Sequence, residues 1–278
     1  MDRYTCVLYF KYKYSDISAV FTNAVLNPGF SPALIDVYIN NESNPQFGVR
    51  YSEDALTKFL ESKASFILIK SGEYVEGGID FSISLKINHD YDLCQITWNC
   101  NKLDFLFEKN SIDTYIMHDN FFYGYCCNSN DMLKQSNDDI DLFEIDYPGE
   151  SYKTIKQKGR KVVDISENWG RSQMICGINF LAAPKMWFGI HFYKIIPKEK
   201  FILFPLAKLM EFNGTERIHV SLFDLNDSPS ISSNRDKQKL FWHFFDFQKV
   251  IIDYGNSIEN EIGVTAVANE YVSKNTPW

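Results

Sequence analysis

The sequence predicts an α+β fold in which mainly antiparallel sheets carry amphipathic helices packed on one face, arranged as two units of similar size. The first observation is residues 79–88, where apolar and polar side chains alternate strictly, as in a half-buried strand. The second is that each half of the chain combines several predicted strands with one amphipathic helix. The third is the composition, because 45% hydrophobic and 16% aromatic residues can fill a sizeable core.

Five strands and one helix are predicted in the first half, with a turn over 43–48. The strands cover 4–14, 33–40, 65–70, 79–88 and 92–100. The last two follow each other closely, so we expect them to pair as antiparallel neighbours. The helix lies within 51–65, because Ser52 suits an N-cap and the acidic residues after it suit the first turn. Residues 102–127 fit either a strand followed by a helix or two strands.

The second half of the chain is also predicted to contain several strands and one amphipathic helix. Strands are predicted at 172–181, 186–196, 200–204 and 216–225, and polar loops at 128–139 and 226–234. An amphipathic helix is predicted over 236–255, with apolar residues that include Leu240 and Phe241 along one side and Gly255 as its stop. Residues 259–272 fit a last strand or a last helix.

A charged segment marks the predicted boundary between the halves. Residues 138–150 contain six acidic residues and no basic residue, whereas residues 153–161 contain five basic residues and no acidic residue. We therefore expect an acidic α+β unit over 1–137, a charged connection or hairpin over 138–161, and a second α+β unit over 162–278. Pro148–Gly149 suits the turn of such a hairpin.

The distribution of charge and the N-terminus argue against several classes of protein. Residues 1–150 hold 23 acidic and 11 basic residues, and the whole chain has a net charge of −8, unlike a nucleic-acid binder with a broad basic surface. Asp2 and two early lysines do not fit a secretory signal, and no stretch reaches the ~18 uninterrupted apolar residues of a membrane span. We expect a cytoplasmic protein without a membrane or nucleic-acid partner, its six cysteines reduced and buried.

The sequence carries no motif for a cofactor, a metal or a known reaction. The five histidines are scattered, without the H-x-x-x-H or H-E-x-x-H spacing of a metal site. Neither G-x-x-x-x-G-K-[ST] nor G-x-G-x-x-G occurs, and no G-x-S-x-G elbow indicates a serine hydrolase. We therefore predict no cofactor, no metal and no catalytic residue.

Residues 186–196, MWFGIHFYKII, form the first candidate site. As a strand, this segment would place Trp187, His191 and Tyr193 on the side opposite an apolar core face. That side fits either a second buried layer, with its polar tips hydrogen-bonded, or a surface on which tryptophan and tyrosine anchor a partner. The sequence leaves both interpretations open.

The acidic segment is the second candidate site. Its candidate partner-binding residues are Asp138, Asp139, Asp141, Glu144 and Asp146. Apolar residues lie between these carboxylates and would anchor the segment while the acids face outward. Such a surface attracts a basic protein and speeds its capture. The competing interpretation is a charged loop that the basic residues of 153–161 neutralise.

These features favour a non-enzymatic, cytosolic protein-binding module. Its general character is that of a bacterial immunity protein, which would neutralise a basic toxin by covering the toxin's active site with an acidic surface. One alternative is a hydrolase-like enzyme with a site assembled from distant residues, namely His191, Tyr193, Glu216 and His219. Another alternative is a structural component of a phage or a secretion apparatus, with a self-complementary interface. The sequence does not fix the oligomeric state.

Overall fold

The chain divides into two units, each made of segments that are not continuous in the sequence. The computed structural model describes residues 3–12, 14–26, 30–39, 45–62, 64–72, 81–101, 107, 111–157, 159–175, 177–212, 214–246 and 249. Unit 1 comprises Met1–Cys126, Met186–Lys194 and Lys208–His219. Unit 2 comprises Cys127–Lys185, Ile195–Ala207 and Val220–Trp278. The predicted division into units over 1–137 and 162–278, with a charged connection or hairpin over 138–161, stays a prediction.

A ten-stranded sheet dominates unit 1. With strands numbered in chain order, its members are β1 (Tyr4–Lys11), β2 (Pro32–Tyr38), β3 (Gln46–Arg50), β4 (Phe66–Ser71), β5 (Phe81–Asn88), β6 (Leu93–Cys100), β7 (Phe121–Asn128), β12 (Lys185–Phe188), β13 (Ala207–Phe212) and β14 (Thr215–Ser221). The order across the sheet is β13-β14-β12-β7-β1-β6-β5-β4-β2-β3. The helices are α1 (Tyr14–Val25), α2 (Glu53–Glu61) and α3 (Ser111–Ile116). The predicted α+β class is therefore confirmed.

Hydrophobic alternation positions the middle of this sheet. β5 pairs with β6 in antiparallel register, as predicted, and β6 pairs with β1 in the same way. Ile83 and Leu85 of β5 are buried, whereas Lys86 between the apolar positions is exposed. At α2, the Ser52 hydroxyl accepts a hydrogen bond from the Ala55 N–H at 3.1 Å, so the predicted N-cap is also confirmed.

Three features of unit 1 differ from the prediction. α1 was not expected, although Ile17, Val20, Phe21 and Ala24 are buried with the spacing of one helical face. Part of the predicted turn at 43–48 is instead the edge strand β3. For residues 102–127 the sequence left open a strand followed by a helix or two strands, and in the described part the helix α3 is followed by the strand β7.

Unit 2 combines short helices with two small hairpins. The helices are α4 (Ser129–Ser136), α5 (Ile140–Asp146), α6 (Lys198–Ile202) and α7 (Ser232–Phe245). One hairpin pairs β8 (Thr154–Gln157) with β9 (Arg160–Val163), and the other pairs β10 (Gln173–Ile175) with β11 (Ile178–Phe180). Both pairings are antiparallel.

The short elements of unit 2 correct several predictions. The polar stretch predicted as a loop at 128–139 forms α4, because the Asn128 side chain accepts from the Asp131 N–H at 3.0 Å and caps the helix. The strand predicted at 200–204 is α6, which follows Pro197. The single strand predicted at 172–181 is the β10–β11 hairpin, with Gly177 at positive φ in its turn.

Aromatic packing forms the core of unit 2. α7 buries Phe241, Trp242 and Phe245 and exposes Leu240, so its buried stripe differs from the predicted one. The Phe241 and Phe180 rings stack with centroids 6.0 Å apart. The described helix begins before residue 236 and ends at Phe245, since Asp246 adopts a left-handed conformation with φ of 49°. The predictions for Gly255 and for 259–272 fall outside the described residues.

Candidate functional site

The acidic candidate segment folds as helix α5 of unit 2, rather than as the predicted charged loop or one arm of a hairpin. Asp139 is its N-cap, and the Asp139 carboxylate accepts from the Leu142 N–H at 3.0 Å. Asp141 lies in the first turn, where the positive end of the helix dipole stabilises a carboxylate. The predicted turn at Pro148–Gly149 is present beyond the helix, with Gly149 at φ of 83°.

One side chain anchors α5 to its unit. Phe143 is buried, and its ring contacts those of Tyr147 and Tyr152 at centroid distances of 5.1 and 5.2 Å. The expectation that all the apolar residues anchor the segment is wrong, because Leu142 is 54% exposed and Ile145 is 72% exposed. At 100° per residue these two lie away from Phe143, so α5 presents large aliphatic side chains to solvent.

The carboxylates of the segment are exposed beside these aliphatic residues. Exposed positions include Asp138, Asp139, Asp141, Glu144 and Asp146. Among the described residues, no lysine or arginine forms an ion pair with any of these five. Glu144 accepts a hydrogen bond from the Tyr152 hydroxyl, which raises the pKa of that phenol above its usual value. Five negative charges therefore remain available on one short stretch of surface.

The only acid of the segment with an ion pair among the described residues is Glu150. Its carboxylate lies 2.5 Å from the Lys134 ammonium of α4. The same ammonium stands over the Tyr147 ring at 5.2 Å. The cation that neutralises Glu150 therefore comes from α4, and not from the basic residues of 153–161.

The basic residues are carried by the β8–β9 hairpin, whose turn contains Gly159 at φ of 80°. Lys156 lies directly opposite Lys161 in the antiparallel register, so both side chains project from the same face. Lys156, Arg160 and Lys161 are exposed. The hairpin is tied to the acidic segment by its backbone, because the Val163 N–H donates to the Asp138 carbonyl at 2.9 Å.

The aromatic candidate segment belongs to unit 1 and is not the predicted strand over 186–196. β12 ends at Phe188, and residues Ile190–Lys194 form a 3₁₀ helix. Gly189, the residue after β12, lies so close to β7 that a Cβ there would be 2.9 Å from the Phe121 carbonyl carbon and closer still to its oxygen. The Gly189 N–H also donates to the Phe122 carbonyl at 2.9 Å. The alternation on which the prediction relied therefore stops beside a position that has room only for glycine.

Each aromatic candidate is engaged within unit 1. Trp187 is buried, and its ring stacks on the His219 imidazole with centroids 5.6 Å apart. The His191 Nε2 atom lies 3.0 Å from the Asp119 carbonyl oxygen, and burial lowers the pKa of this imidazole. The Tyr193 hydroxyl donates to the Phe188 carbonyl at 3.2 Å, and burial raises its pKa to about 12. Their role in partner binding stays a prediction.

A buried arginine that the sequence analysis did not single out holds this region together. Arg217 of β14 is fully buried and donates to three carbonyl oxygens: from Nε to Ile116, from Nη1 to Glu216 and from Nη2 to His118, at 2.8–2.9 Å. The guanidinium therefore caps the end of α3 and fixes the loop that bonds to His191. Its three acceptors are backbone atoms, which no residue pattern reveals.

Neither a metal site nor a membrane-spanning helix is found among the described residues. Within the part of the chain that the structure describes, no group of three or more His, Cys, Asp or Glu side chains is arranged to hold a metal ion. The helices of that part are all too short or too polar to cross a bilayer. No protein-family model matches the sequence, and no curated protein is significantly similar to it.

Proposed function

We propose that this protein is a non-enzymatic binding module that captures a basic protein on helix α5. The observation that carries the proposal is the composition of the exposed side of α5. Asp141 and Glu144 lie there beside the exposed side chains of Leu142 and Ile145. Leu142 and Ile145 are three positions apart, so α5 leaves two neighbouring aliphatic side chains in solvent, which a docked partner would cover.

The two kinds of side chain have separate roles in this proposal. The carboxylates attract a cationic partner over about 10 Å at moderate ionic strength and so raise the association rate. Leu142 and Ile145 are buried on docking and slow dissociation, because removing apolar surface from water stabilises the complex. Capture should therefore be fast at low salt and persist partly at high salt.

The partner class that best fits is a basic toxin, with this protein acting as its bacterial immunity protein. Toxins that act on nucleic acids carry basic clefts, because they bind phosphate groups. An acidic helix that docks in such a cleft occupies the place of the substrate. Neutralisation then needs no chemistry, which agrees with the absence of a catalytic motif from the sequence.

Binding to a basic protein that a pull-down with this chain retains from its native host tests the proposal directly. We expect D141K/E144K to weaken binding at least tenfold, since the change removes two attractive charges and adds two repulsive ones. The matched control is D227K/D236K, which makes the same change in net charge at exposed positions elsewhere in unit 2. Equal loss in both variants, or affinity that does not vary with salt, would contradict the proposal.

The aliphatic contribution is tested separately. Ile145→Ser should increase the dissociation rate several-fold and leave the association rate nearly unchanged, because it removes apolar contact without changing charge. Leu240→Ser is the control, since Leu240 is an exposed aliphatic residue on another helix of unit 2. A faster association rate, or the same effect in both variants, would count against docking on α5.

A further inference from the structure

We infer that two copies of this chain associate through unit 2, with the α5 helix of each copy lying against the β8–β9 hairpin of the other. This inference goes beyond the proposed function, because it requires no second protein. It concerns the same acidic surface, so self-association would compete with capture of the basic partner.

The first support is the charge complementarity of two neighbouring elements. The acidic segment 138–150 carries six acidic residues, and the basic segment 153–161 carries five basic residues. Neither segment contains a residue of the opposite charge. A surface that places nearly equal and opposite charges side by side is complementary to a copy of itself rotated by 180°.

The second support is that the two elements do not neutralise each other within one chain. The Val163 N–H to Asp138 carbonyl bond of 2.9 Å places α5 and the hairpin side by side. Even so, among the described residues, no ion pair joins a carboxylate of one to an ammonium or guanidinium of the other. Both sets of charges therefore stay available to a neighbouring molecule.

The third support is the arrangement of the hairpin. Lys156 and Lys161 lie opposite each other on one face, and like charges in that position destabilise a strand pair. An acidic helix set against this face would relieve the repulsion. The exposed Leu142 and Ile145 would then be covered as well, which removes apolar surface from water in both copies.

In a two-fold arrangement the same pair of contacts forms twice, since the helix of each copy meets the hairpin of the other. Because the contacts are reciprocal, two variants with opposite charge changes can be mixed, and recovery of the dimer in the mixture cannot result from a change in solubility. D141K/E144K makes the four positions 141, 144, 156 and 161 all basic and takes the acidic segment from −6 to −2. K156E/K161E makes the same four positions all acidic and takes the basic segment from +5 to +1. Each variant alone should therefore lose most of its attraction for its own copies, whereas in a one-to-one mixture the changed positions of one variant meet opposite charges on the other.

Sedimentation velocity on the full chain measures these states. At about 50 mM salt we expect the wild-type protein to form dimers that dissociate as salt rises, because screening weakens exposed charge pairs. Each variant alone should dimerise at least tenfold more weakly, and the mixture should recover the wild-type dissociation constant to within about threefold. Circular dichroism verifies that both variants are folded.

Three outcomes would overturn the inference: a wild-type protein that stays monomeric at low salt, variants that dimerise as the wild type does, or a mixture that remains monomeric. None of these outcomes decides the proposed function, because K156E/K161E leaves the residues of α5 unchanged and can be assayed for binding to the basic protein. Loss of that binding only in D141K/E144K supports the proposed function even if self-association fails.

Discussion

Replacing Gly189 by alanine is expected to destabilise unit 1 by about 3 kcal/mol, from overpacking of about 2 kcal/mol and the loss of a hydrogen bond of about 1 kcal/mol. The added Cβ would lie 2.9 Å from the Phe121 carbonyl carbon, and ordinary contact begins at 3.4 Å. The obstacle is backbone of β7, so no side-chain rotation relieves it. Displacing residue 189 would also break its 2.9 Å hydrogen bond to Phe122.

Thermal unfolding followed by circular dichroism measures this effect. For a unit of this size, about 3 kcal/mol corresponds to a decrease in Tm of roughly 6–12 °C. The control is Gly124→Ala, where the nearest obstacle is the end of the Leu8 side chain rather than backbone, and the next atom, the Val7 carbonyl oxygen, is 3.0 Å away. We expect about 1 kcal/mol there. A smaller effect in G189A than in G124A would refute the conclusion that the β7 backbone leaves no space for a side chain at residue 189.

Three further predictions concern unit 1. Ser52→Ala should lower the free energy of unfolding by about 1 kcal/mol, because the Ala55 N–H loses its cap; an unchanged urea midpoint would contradict this. Arg217→Met should lower the free energy of unfolding by about 3–5 kcal/mol, because three carbonyls lose their hydrogen-bond donor. Arg217→Lys should retain part of this stability in the same urea titration. Burial lowers the pKa of His191 in the folded state. The contribution of His191 to the free energy of unfolding is therefore fully present above the unfolded-state pKa of about 6.5, and it is lost as the pH falls through the folded-state pKa. His191→Gln should therefore flatten the acid side of the stability profile, and a profile identical to the wild type would exclude His191 as its source.

The sequence was sufficient to predict those elements whose residue pattern depends on nearby residues alone. The strict alternation of β5 follows from one buried and one less buried face, and Ser52 marks the start of α2 through a hydrogen bond to a residue three positions away. In both cases the decisive contact is close along the chain or repeats regularly. The class of the fold follows from several such segments.

The remaining elements depend on contacts that are distant along the chain. The segment 186–196 has the composition of a strand, yet β12 ends at Phe188, next to Gly189, whose lack of space for a side chain comes from the Phe121 backbone far away in the sequence. The run at 200–204 is too short for its period to distinguish a strand from a helix. For the acidic segment, the carboxylates could be identified from the sequence, but the helix and the exposure of Ile145 could not. A helix of seven residues has too few apolar positions to show which side is buried unless the buried residue, here Phe143, is already known.

The discontinuous make-up of unit 1 has a consequence for its synthesis on the ribosome. β7 is synthesised early, but its neighbour β12 is translated about sixty residues later. β14 then supplies Arg217, which binds the carbonyls of Ile116 and His118, about a hundred residues earlier in the chain. Until then β7 presents an open edge, and the end of α3 lacks its guanidinium cap. The nascent chain therefore exposes the unpaired edge of an incomplete sheet, which is prone to aggregation, until the sequence between β7 and β14 has been translated.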